Sequence, residues 1–590
     1  MSGSWTTFNI PNTSTGAFNA DLMILLTDGS VLCHNGFASL GLGPANQWLR
    51  LTPDQNGKYE TGSWSAEIDM QFARQWFGSG VLMDGRVFVI GGEDCSDPLN
   101  PTDAPTGEIF DPQTNLFSPI NKPASVDFIR GDCNGSVLED GRVLLGAPNS
   151  TPFPLSQRTA IWDPHNDTWV EAGLEFGAVG ATTKKDPFME ETLTLLPDGS
   201  VLAPAVQDTP KAQRYAPALD QWVHVKAAPV DLAITILSGT TVMETGPTIV
   251  LPDGSAFCIG GAGKTATFTL GPHMKSPGSW TKGPDFPPDT SIGANWPLLT
   301  ALDAPACLLP SGKIVLMGGT TTPSAGDFFS LNPILFEYDP ASGAAVLPQL
   351  DVQPSLPADN FTWQSMFLML PTGQLLLSAQ TNTLFLYTPD PAAGQPHKSW
   401  RPAHIEVPSP MKPGHSYTLS GTQINGLSQA VCYGDDGGMA TNYPIVRLTN
   451  PAGKVFYLRS HHFSTMGIAT GHHDRKHCTI DIPSGLATGK YELVVIANGI
   501  PSESIWVEIG FELHEDEHRF EGKVESLIYD GFGDFEAFTV KNTSLETRRF
   551  ESREHHVAEL TRRAWEDRTR VLVISERHHA HHVRSIALLV

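Results

Sequence analysis

Three acidic residues occupy the same place in a repeated sequence pattern. Asp132, Glu190 and Asp303 each stand nine residues before the glycine of a tight-turn motif. If these positions converge in the fold, something must neutralise them, because packed like charges are unfavourable. A carboxyl group with a raised pKa could also act as a general acid or base. We therefore predict Asp132, Glu190 and Asp303 as catalytic residues, although any one of them alone could simply cap a strand through a hydrogen bond.

The residues at and beside the aligned positions are of types that bind small polar ligands. Tryptophan next to polar groups commonly stacks on sugars, although it also serves in ordinary core packing. The arginines could neutralise the carboxylates or place a substrate. The substrate-binding residues predicted here are Arg74, Trp76, Arg130, Glu244, Trp363 and Gln364.

The pattern that defines these positions is a turn that recurs seven times. The turn glycines are Gly29, Gly85, Gly141, Gly199, Gly254, Gly312 and Gly373, at intervals of 56, 56, 58, 55, 58 and 61 residues. Five of the turns are Asp-Gly, a turn dipeptide in which glycine takes a positive φ without a Cβ clash. Apolar runs such as VFVIGG flank the turns. Each repeat therefore predicts a β-hairpin.

Further strands complete each repeat. An apolar strand ending in a proline turn, as in Ile109–Pro112, is often followed by a strand that contains a tryptophan. Those tryptophans are Trp64, Trp169, Trp222, Trp280 and Trp400. Four strands in each repeat are typical of a kelch-type blade. We predict a seven-bladed kelch-type β-propeller over residues 1–405, whose innermost strands would bring the aligned residues to one channel. The alternative is a long array of β-sandwiches.

Two smaller domains are predicted after the propeller. Residues 406–510 hold alternating strands such as SYTLSG and KYELVVIAN, which suit an immunoglobulin-like β-sandwich. Residues 511–590 hold 16 acidic and 12 basic residues, a denser charge than the rest of the chain. A helix is expected around Glu554–Asp567, so this segment is predicted to be a small α+β domain. The fold class is all-β.

Composition limits the partners that the chain could have. Its net charge of −25 argues against binding to nucleic acid or to an anionic membrane, and no apolar run approaches the roughly 20 residues of a membrane span. The N-terminal residues show no basic and apolar signal regions, and the seven cysteines are scattered without a CxxC pair. We expect a cytoplasmic protein, with signal-free export left open. Its expected partners are a small polar or carbohydrate ligand and, through residues 511–590, a protein partner or a second copy.

The chain resembles the galactose oxidase and glyoxal oxidase family of copper-radical oxidases. Residues 73–92, ARQWFGSGVLMDGRVFVIGG, are similar to the family's blade that carries the radical tyrosine, and residues 425–505 resemble its C-terminal domain. The resemblance extends over about residues 18–510 and implies a propeller followed by a sandwich.

The positions that match the family's copper ligands hold other residues here. Ala20 and Trp76 stand at the positions of the cross-linked cysteine and tyrosine, the Tyr-His pair corresponds to Trp363-Gln364, and the remaining histidine falls near Gly438. Alanine, tryptophan and glycine cannot replace thiolate, phenolate or imidazole on copper. The resemblance therefore implies the fold without the copper, and no cofactor is assigned.

The resemblance also implies a sandwich loop that reaches into the channel. That loop would bring Asp435, Asp436 and Tyr443 toward the acidic residues, and we predict these three as further substrate-binding residues. Oxygen-rich groups suit Ca²⁺ or Mg²⁺. The channel could therefore hold one of these ions, although no metal ligand is assigned and no short loop has an EF-hand pattern.

Three functional hypotheses follow. The favoured one is a non-redox protein that binds a small polar or sugar-like ligand in an acidic funnel, with hydrolase or lyase chemistry as its enzymatic form. The second is a kelch-type interaction or assembly module without catalysis. The third is a copper-radical oxidase with a relocated site at the histidine-dense stretch 461–477. Whether the chain is an enzyme is left open.

Overall fold

The protein consists almost entirely of antiparallel β-sheet. The computed structural model describes residues 3–589, except for 15, 37–45, 94–95, 97–103, 148–155, 174–183, 235, 238–239, 242–243, 295, 322–328, 358, 392–393, 434–441, 511–516 and 577–578. Among the described residues, the regular structure comprises many four-stranded sheets, one α-helix and short 3-10 turns. The predicted all-β class is confirmed.

Seven sheets account for most of the first 388 residues. The chain begins with strand β1 (Ser4–Asn9), and sheet 1 follows with β2 (Ala20–Leu25), β3 (Val31–Asn35), β4 (Gln47–Thr52), β5 (Ser63–Trp64) and β6 (Ile68–Asp69). Sheet 2 consists of β7 (Gly78–Val81), β8 (Val87–Ile90), β9 (Gly107–Asp111) and β10 (Leu116–Pro119). Sheet 3 consists of β11 (Asn134–Val137), β12 (Val143–Gly146), β13 (Thr159–Asp163) and β14 (Thr168–Ala172). Sheet 4 consists of β15 (Thr194–Leu195), β16 (Val201–Pro204), β17 (Ala212–Ala216) and β18 (Gln221–His224), and a small hairpin of β19 (Ile236–Leu237) and β20 (Thr240–Thr241) follows it. Sheet 5 consists of β21 (Thr248–Val250), β22 (Ala256–Ile259), β23 (Thr265–Thr269) and β24 (Ser279–Lys282). Sheet 6 contains β25 (Ala306–Leu308), β26 (Ile314–Thr320) and β27 (Leu331–Tyr338), and sheet 7 contains β28 (Met366–Met369), β29 (Leu375–Ser378) and β30 (Thr383–Thr388).

The seven repeated turns join the first and second strands of the seven sheets. Their glycines have φ between +76° and +86°, the left-handed region that favours glycine. The first strands contact one another in the order β7, β11, β15, β21, β25, β28 and β2. Their described side chains are mostly buried. Sheets that meet side by side along their first strands are arranged as the blades of a β-propeller are.

Two of the sheets are completed by strands from distant parts of the chain. Sheet 7 takes β1 as its outer strand, which pairs antiparallel with β30 from Ser4↔Thr388 to Asn9↔Thr383. The strand predicted around Trp400 is therefore wrong: this residue ends a 3-10 turn, and its ring lies against the turn glycine Gly312.

The second region, for which a sandwich was predicted, contains two further antiparallel sheets. Its strands are β31 (Ala403–Glu406), β32 (Ser416–Thr422), β33 (Val431–Cys432), β34 (Ile445–Thr449), β35 (Val455–Leu458), β36 (Ser460–His461), β37 (Lys476–Asp481), β38 (Gly489–Ala497), β39 (Ile500–Pro501) and β40 (Ile505–Ile509). One sheet has the order β31-β32-β37-β36, and the other has the order β35-β34-β38-β39 with β40 also on β38. Strand β33 leaves this domain and joins sheet 6, where it pairs with β25 through Ala306↔Cys432 and Cys307↔Val431.

The sandwich also lies across the repeated turns. The backbone N–H of Ser460 donates to the carbonyl of Thr27 at 3.3 Å, and that of Met466 donates to the carbonyl of Glu139 at 2.9 Å. Residues 459–472 therefore run from the turn of sheet 1 toward those of the following sheets.

The last domain is a closed barrel with its own core. Its elements are β41 (Glu517–Tyr529), β42 (Phe535–Lys541), β43 (Thr547–Glu551), α1 (His555–Glu566), β44 (Arg570–Glu576) and β45 (His579–Leu589), in the barrel order β41-β42-β43-β45-β44. The core includes Phe520, Phe538 and Phe550, and helix α1 packs on β41. The helix lies where it was predicted. No helix among the described residues is long and apolar enough to cross a membrane.

We expect the close approach of sheets 5 and 6 to depend on Gly263. A Cβ on Gly263 would lie 2.2 Å from the Leu299 carbonyl oxygen, and its φ is +74°. Gly263→Ala should lower the free energy of unfolding by about 3 kcal/mol, since the contact adds to a left-handed penalty of about 1–2 kcal/mol. Gly343→Ala is the matched control, because its φ is +64° and nothing lies within 4 Å of the added Cβ. Equal losses in denaturant unfolding of the two variants would contradict this prediction.

Candidate functional site

Hydrogen bonds between neighbouring sheets bring the aligned positions of sheets 4, 5 and 6 together. The backbone N–H of Thr245 donates to the carbonyl of Glu190 at 3.4 Å, and the Thr245 hydroxyl donates to the same oxygen at 3.3 Å. The N–H of Asp303 donates to the carbonyl of Thr245 at 3.1 Å. The segments that enter three consecutive first strands therefore meet through their backbones.

Three carboxyl groups meet at this place, and we call Glu190, Glu244 and Asp303 the carboxylate cluster. One oxygen of each lies within 4.8 Å of the others, and the three residues are only 5%, 6% and 9% exposed. Burial, together with the negative charge of Glu190, raises the pKa of Asp303 to about 8, while a hydrogen bond with Glu244 works in the opposite direction. Two carboxyl groups can share a hydrogen bond only if one carries a proton. The cluster therefore holds a proton at neutral pH.

Backbone strain marks two of the aligned positions. Asp303 has φ +46° and Trp76 has φ +49°. Non-glycine residues seldom occupy this region, and such strain often accompanies functional sites.

Aromatic side chains lie beside the cluster, and we call Trp76, Phe329, Phe361 and Trp363 the aromatic group. The Trp363 ring stacks on Phe361 with centroids 5.8 Å apart, and Trp76 meets it edge-on at 5.7 Å. Phe329 meets the same ring at 6.1 Å. The Trp363 carbonyl accepts a hydrogen bond of 2.6 Å from the Tyr433 hydroxyl of the sandwich domain.

The aromatic group and the carboxylate cluster are connected through one hydrogen bond. The hydroxyl of Thr362, next to Trp363, donates to the carbonyl of Leu302, next to Asp303, at 2.6 Å. Of the predicted residues, the structure thus brings Glu190, Glu244 and Asp303 into one cluster and places Trp76 and Trp363 together beside it.

The Gln364 side chain forms hydrogen bonds with other residues of the protein. Its amide nitrogen donates to the Gln380 side chain at 3.2 Å, and its amide oxygen accepts from the Phe361 backbone at 2.9 Å. Gln380 in turn donates to Asp21 at 3.4 Å. Gln364 therefore connects sheet 7 to sheet 1.

The two arginines, which were candidates for neutralising the cluster, form ion pairs with other carboxylates. Arg74 is fully buried in sheet 2, where it forms a 3.2 Å ion pair with Glu108 and donates to backbone carbonyls. Arg130 pairs with Asp127, which is more than half exposed. Each guanidinium has a carboxylate partner on a nearby segment.

Asp132 and Tyr443 are the remaining predicted residues that the structure describes. Asp132 is partly buried where the chain enters sheet 3, and it does not belong to the group of three carboxylates. The buried Tyr443 hydroxyl donates to the carbonyl of Leu25, while its ring stacks near Phe463. Asp435 and Asp436 lie outside the described residues.

Sequence reasoning missed a buried ion pair behind the cluster. Lys184 Nζ lies 2.6 Å from Glu191 Oε1, and both side chains are buried. Burial raises the pKa of Glu191 to about 7, against the stabilising charge of Lys184. Lys184 also donates to the Asp186 carbonyl at 2.8 Å. The sequence pattern did not predict this pair, because Lys184 lies before the aligned position of sheet 4 and outside the residues beside it.

The carboxylate cluster fits a hard cation better than copper. Oxygen ligands of Ca²⁺ lie about 2.3–2.6 Å from the ion, so ligands on opposite sides are separated by about 5 Å. Because one oxygen of each carboxyl group lies within 4.8 Å of the others, the three could ligate a single ion together. Three carboxylates would supply only part of a calcium shell, and water would have to supply the rest.

The relocated copper site that was hypothesised at residues 461–477 does not gather three ligands. His461 Nε2 lies 3.0 Å from Asp481 Oδ1, whereas His472 Nε2 lies 2.8 Å from the carbonyl of Pro197. Among the described residues, the only other group of three potential metal ligands is His555, His556 and Glu559, all exposed.

No known family profile matches the chain. One solved structure with similarity to it is the WD40 β-propeller domain of Doa1, at 10% identity and a TM-score of 0.35 over 66% of this chain and 99% of that domain.

The buried Asp303 carboxyl predicts a pH-dependent loss of stability. The raised pKa of about 8 means that Asp303 stays protonated in the folded state, whereas the unfolded chain releases this proton near pH 4. Stability from this group is therefore lost as the pH rises from about 4 to 8. Asp303→Asn should remove that loss. The difference in free energy of unfolding between this variant and the natural protein should therefore shift in favour of the variant by more than about 1 kcal/mol between pH 5 and 8. Asp231→Asn, at an exposed position, is the control in thermal unfolding, and a pH-independent gain for Asp303→Asn would contradict the assignment.

Proposed function

We propose that this protein binds a small polar ligand at the axis of its sheets and that the carboxylate cluster provides acid–base chemistry on it. The observation that carries the proposal is the cluster itself: Glu190, Glu244 and Asp303 meet within 4.8 Å in a buried place and hold a proton at neutral pH. A protonated carboxyl beside carboxylates supplies both a donor and an acceptor of protons.

The chemistry that follows is non-redox. Asp303 in its protonated form donates a proton to a leaving oxygen or nitrogen, and Glu190 or Glu244 accepts one from water or from a carbon-bound hydrogen. Removal of a proton from water leads to hydrolysis, as in a hydrolase. Removal of a carbon-bound hydrogen leads to elimination, as in a lyase. The aromatic group offers the Trp76 and Trp363 rings, whose faces stack on sugars and attract cations.

The proposed architecture is a seven-bladed kelch-type propeller followed by a sandwich, related to the copper-radical oxidases without their copper ligands. The seven sheets joined by seven repeated turns support the propeller. The entry of β33 beside sheet 6 agrees with the sandwich loop that the resemblance implied. Ala20 and Trp76, at the positions of the copper ligands, support the loss of copper.

Thermal-shift measurements with a panel of monosaccharides, polyols and primary amines test the ligand proposal. We expect at least one class to raise the melting temperature, because a ligand at 100 times its Kd adds about 2.7 kcal/mol. The double variant Glu190→Gln/Asp303→Asn should lose the shift, and Asp231→Asn should keep it. If CaCl₂ alone gives a shift that the double variant loses, the cluster is a calcium site. A panel without any shift would contradict the proposal.

A second candidate function, assembly through the C-terminal barrel, is favoured by exposed apolar side chains. Of nine large apolar residues that are exposed in the described part of the chain, four belong to the barrel: Tyr529, Phe532, Leu545 and Trp565. Phe532 is at the turn between β41 and β42 and is 96% exposed. Tyr529 and Phe532 both lie at the β41–β42 turn, and exposed apolar side chains that adjoin one another can mark a binding surface.

Sedimentation velocity over a range of concentrations tests this assembly. We expect the natural protein to self-associate and Phe532→Asp to reduce the association at least tenfold, because the substitution places a charge at the contact. Ile292→Asp is the matched control, since Ile292 is fully exposed in the propeller region. A natural protein that stays monomeric, or equal association of both variants, would exclude this surface.

A further inference from the structure

A small cavity lies among the first strands of sheets 2, 3 and 4 and is bordered by residues of the sandwich region. It has a volume of about 30 Å³ and is lined by β7 and β11 on one side and by the inserted segment, residues 429–433, on the other. Thr192, two residues after Glu190, also lines it. The segment that carries Glu190 therefore also contributes to the wall of the cavity.

Two serine residues of neighbouring first strands line this cavity. Ser79 comes from β7 and Ser136 from β11, and they are 4% and 5% exposed. Both line the cavity, and neither hydroxyl oxygen has a hydrogen-bond partner among the described residues. Buried hydroxyl groups nearly always have a partner, either protein or ordered water.

The volume and the lining residues of the cavity indicate which kind of molecule it can bind. A water molecule needs about 10–15 Å³ of such space and two to four polar neighbours, so this cavity has room for about two. Two facing hydroxyls offer both donors and acceptors. Larger ligands do not fit this space, and an ion would lack a charged partner among Ser79, Ser136 and Thr192.

We propose that the cavity is an internal water-binding site in which Ser79 and Ser136 hold ordered water against the inserted segment. The segment pairs with β25 of sheet 6 on one side. The water provides its attachment on the opposite side, toward sheets 2 and 3. This inference goes beyond the proposed ligand site and does not depend on it.

A crystal structure at about 1.5 Å resolution tests the site directly. We expect water density within about 3.2 Å of the Ser79 and Ser136 hydroxyls. Ser79→Ala/Ser136→Ala keeps the space but removes both hydroxyls, and it should lose this density and lower the melting temperature. Ser118→Ala is the control, because that hydroxyl lies near the Ile109 carbonyl on the outer strands of sheet 2, and it should leave the density unchanged.

Two results would overturn the proposal. One is the lack of density at the serines in the natural protein, and the other is density that persists unchanged in the double variant. If the double variant does not fold, Ser136→Ala alone gives the same comparison, with loss of the water beside Ser136 as the expected result and its unchanged presence as the contrary one.

Discussion

The centre of the sheet arrangement has to be filled, and this requirement connects the first two domains. First strands that meet around an axis leave a channel between them. In this protein the inserted segment enters the channel, with Val431–Cys432 paired to β25 and the Tyr433 hydroxyl bound to the Trp363 carbonyl. The pairing satisfies backbone groups of β25 that would otherwise face the channel. The sandwich therefore supplies part of the wall behind the candidate site.

Burial of carboxylates at the same axis imposes a second requirement. An isolated buried charge is strongly unfavourable, and a group without a counter-ion changes its protonation instead. The buried cation closest in sequence to the cluster is already committed, because Lys184 pairs with Glu191. The cost of burial is instead reduced by the raised pKa of Asp303, because a protonated carboxyl group carries no charge. A ligand that donates hydrogen bonds or carries positive charge would relieve the same cost, which is why the cluster favours such ligands over anions.

The sequence predicted what depends on local pattern. The seven turns required glycine at positive φ, and the structure has it in all seven. The position nine residues earlier was enough to select Glu190 and Asp303, and its neighbour selected Glu244. Partners at long sequence separation were not predictable in this way. The outer strand of sheet 7 comes from the other end of the domain, so the tryptophan pattern alone misplaced it at Trp400. The ion pair of Arg74 was not predicted either, because its partner Glu108 is separated from it by 34 residues.

The two ends of each first strand are under different physical constraints. At the turn end, the backbone conformation requires glycine, and the sandwich lies directly over several of these glycines, as Tyr457 does over Gly29. At the other end, some of the hydrogen bonds that join the sheets come from the backbone alone, as between Asp303 and Thr245. A backbone bond places no demand on the side chain. The aligned positions can therefore hold alanine, tryptophan, threonine or a carboxylate while the sheets keep their arrangement, so the scaffold can persist when its axial chemistry changes.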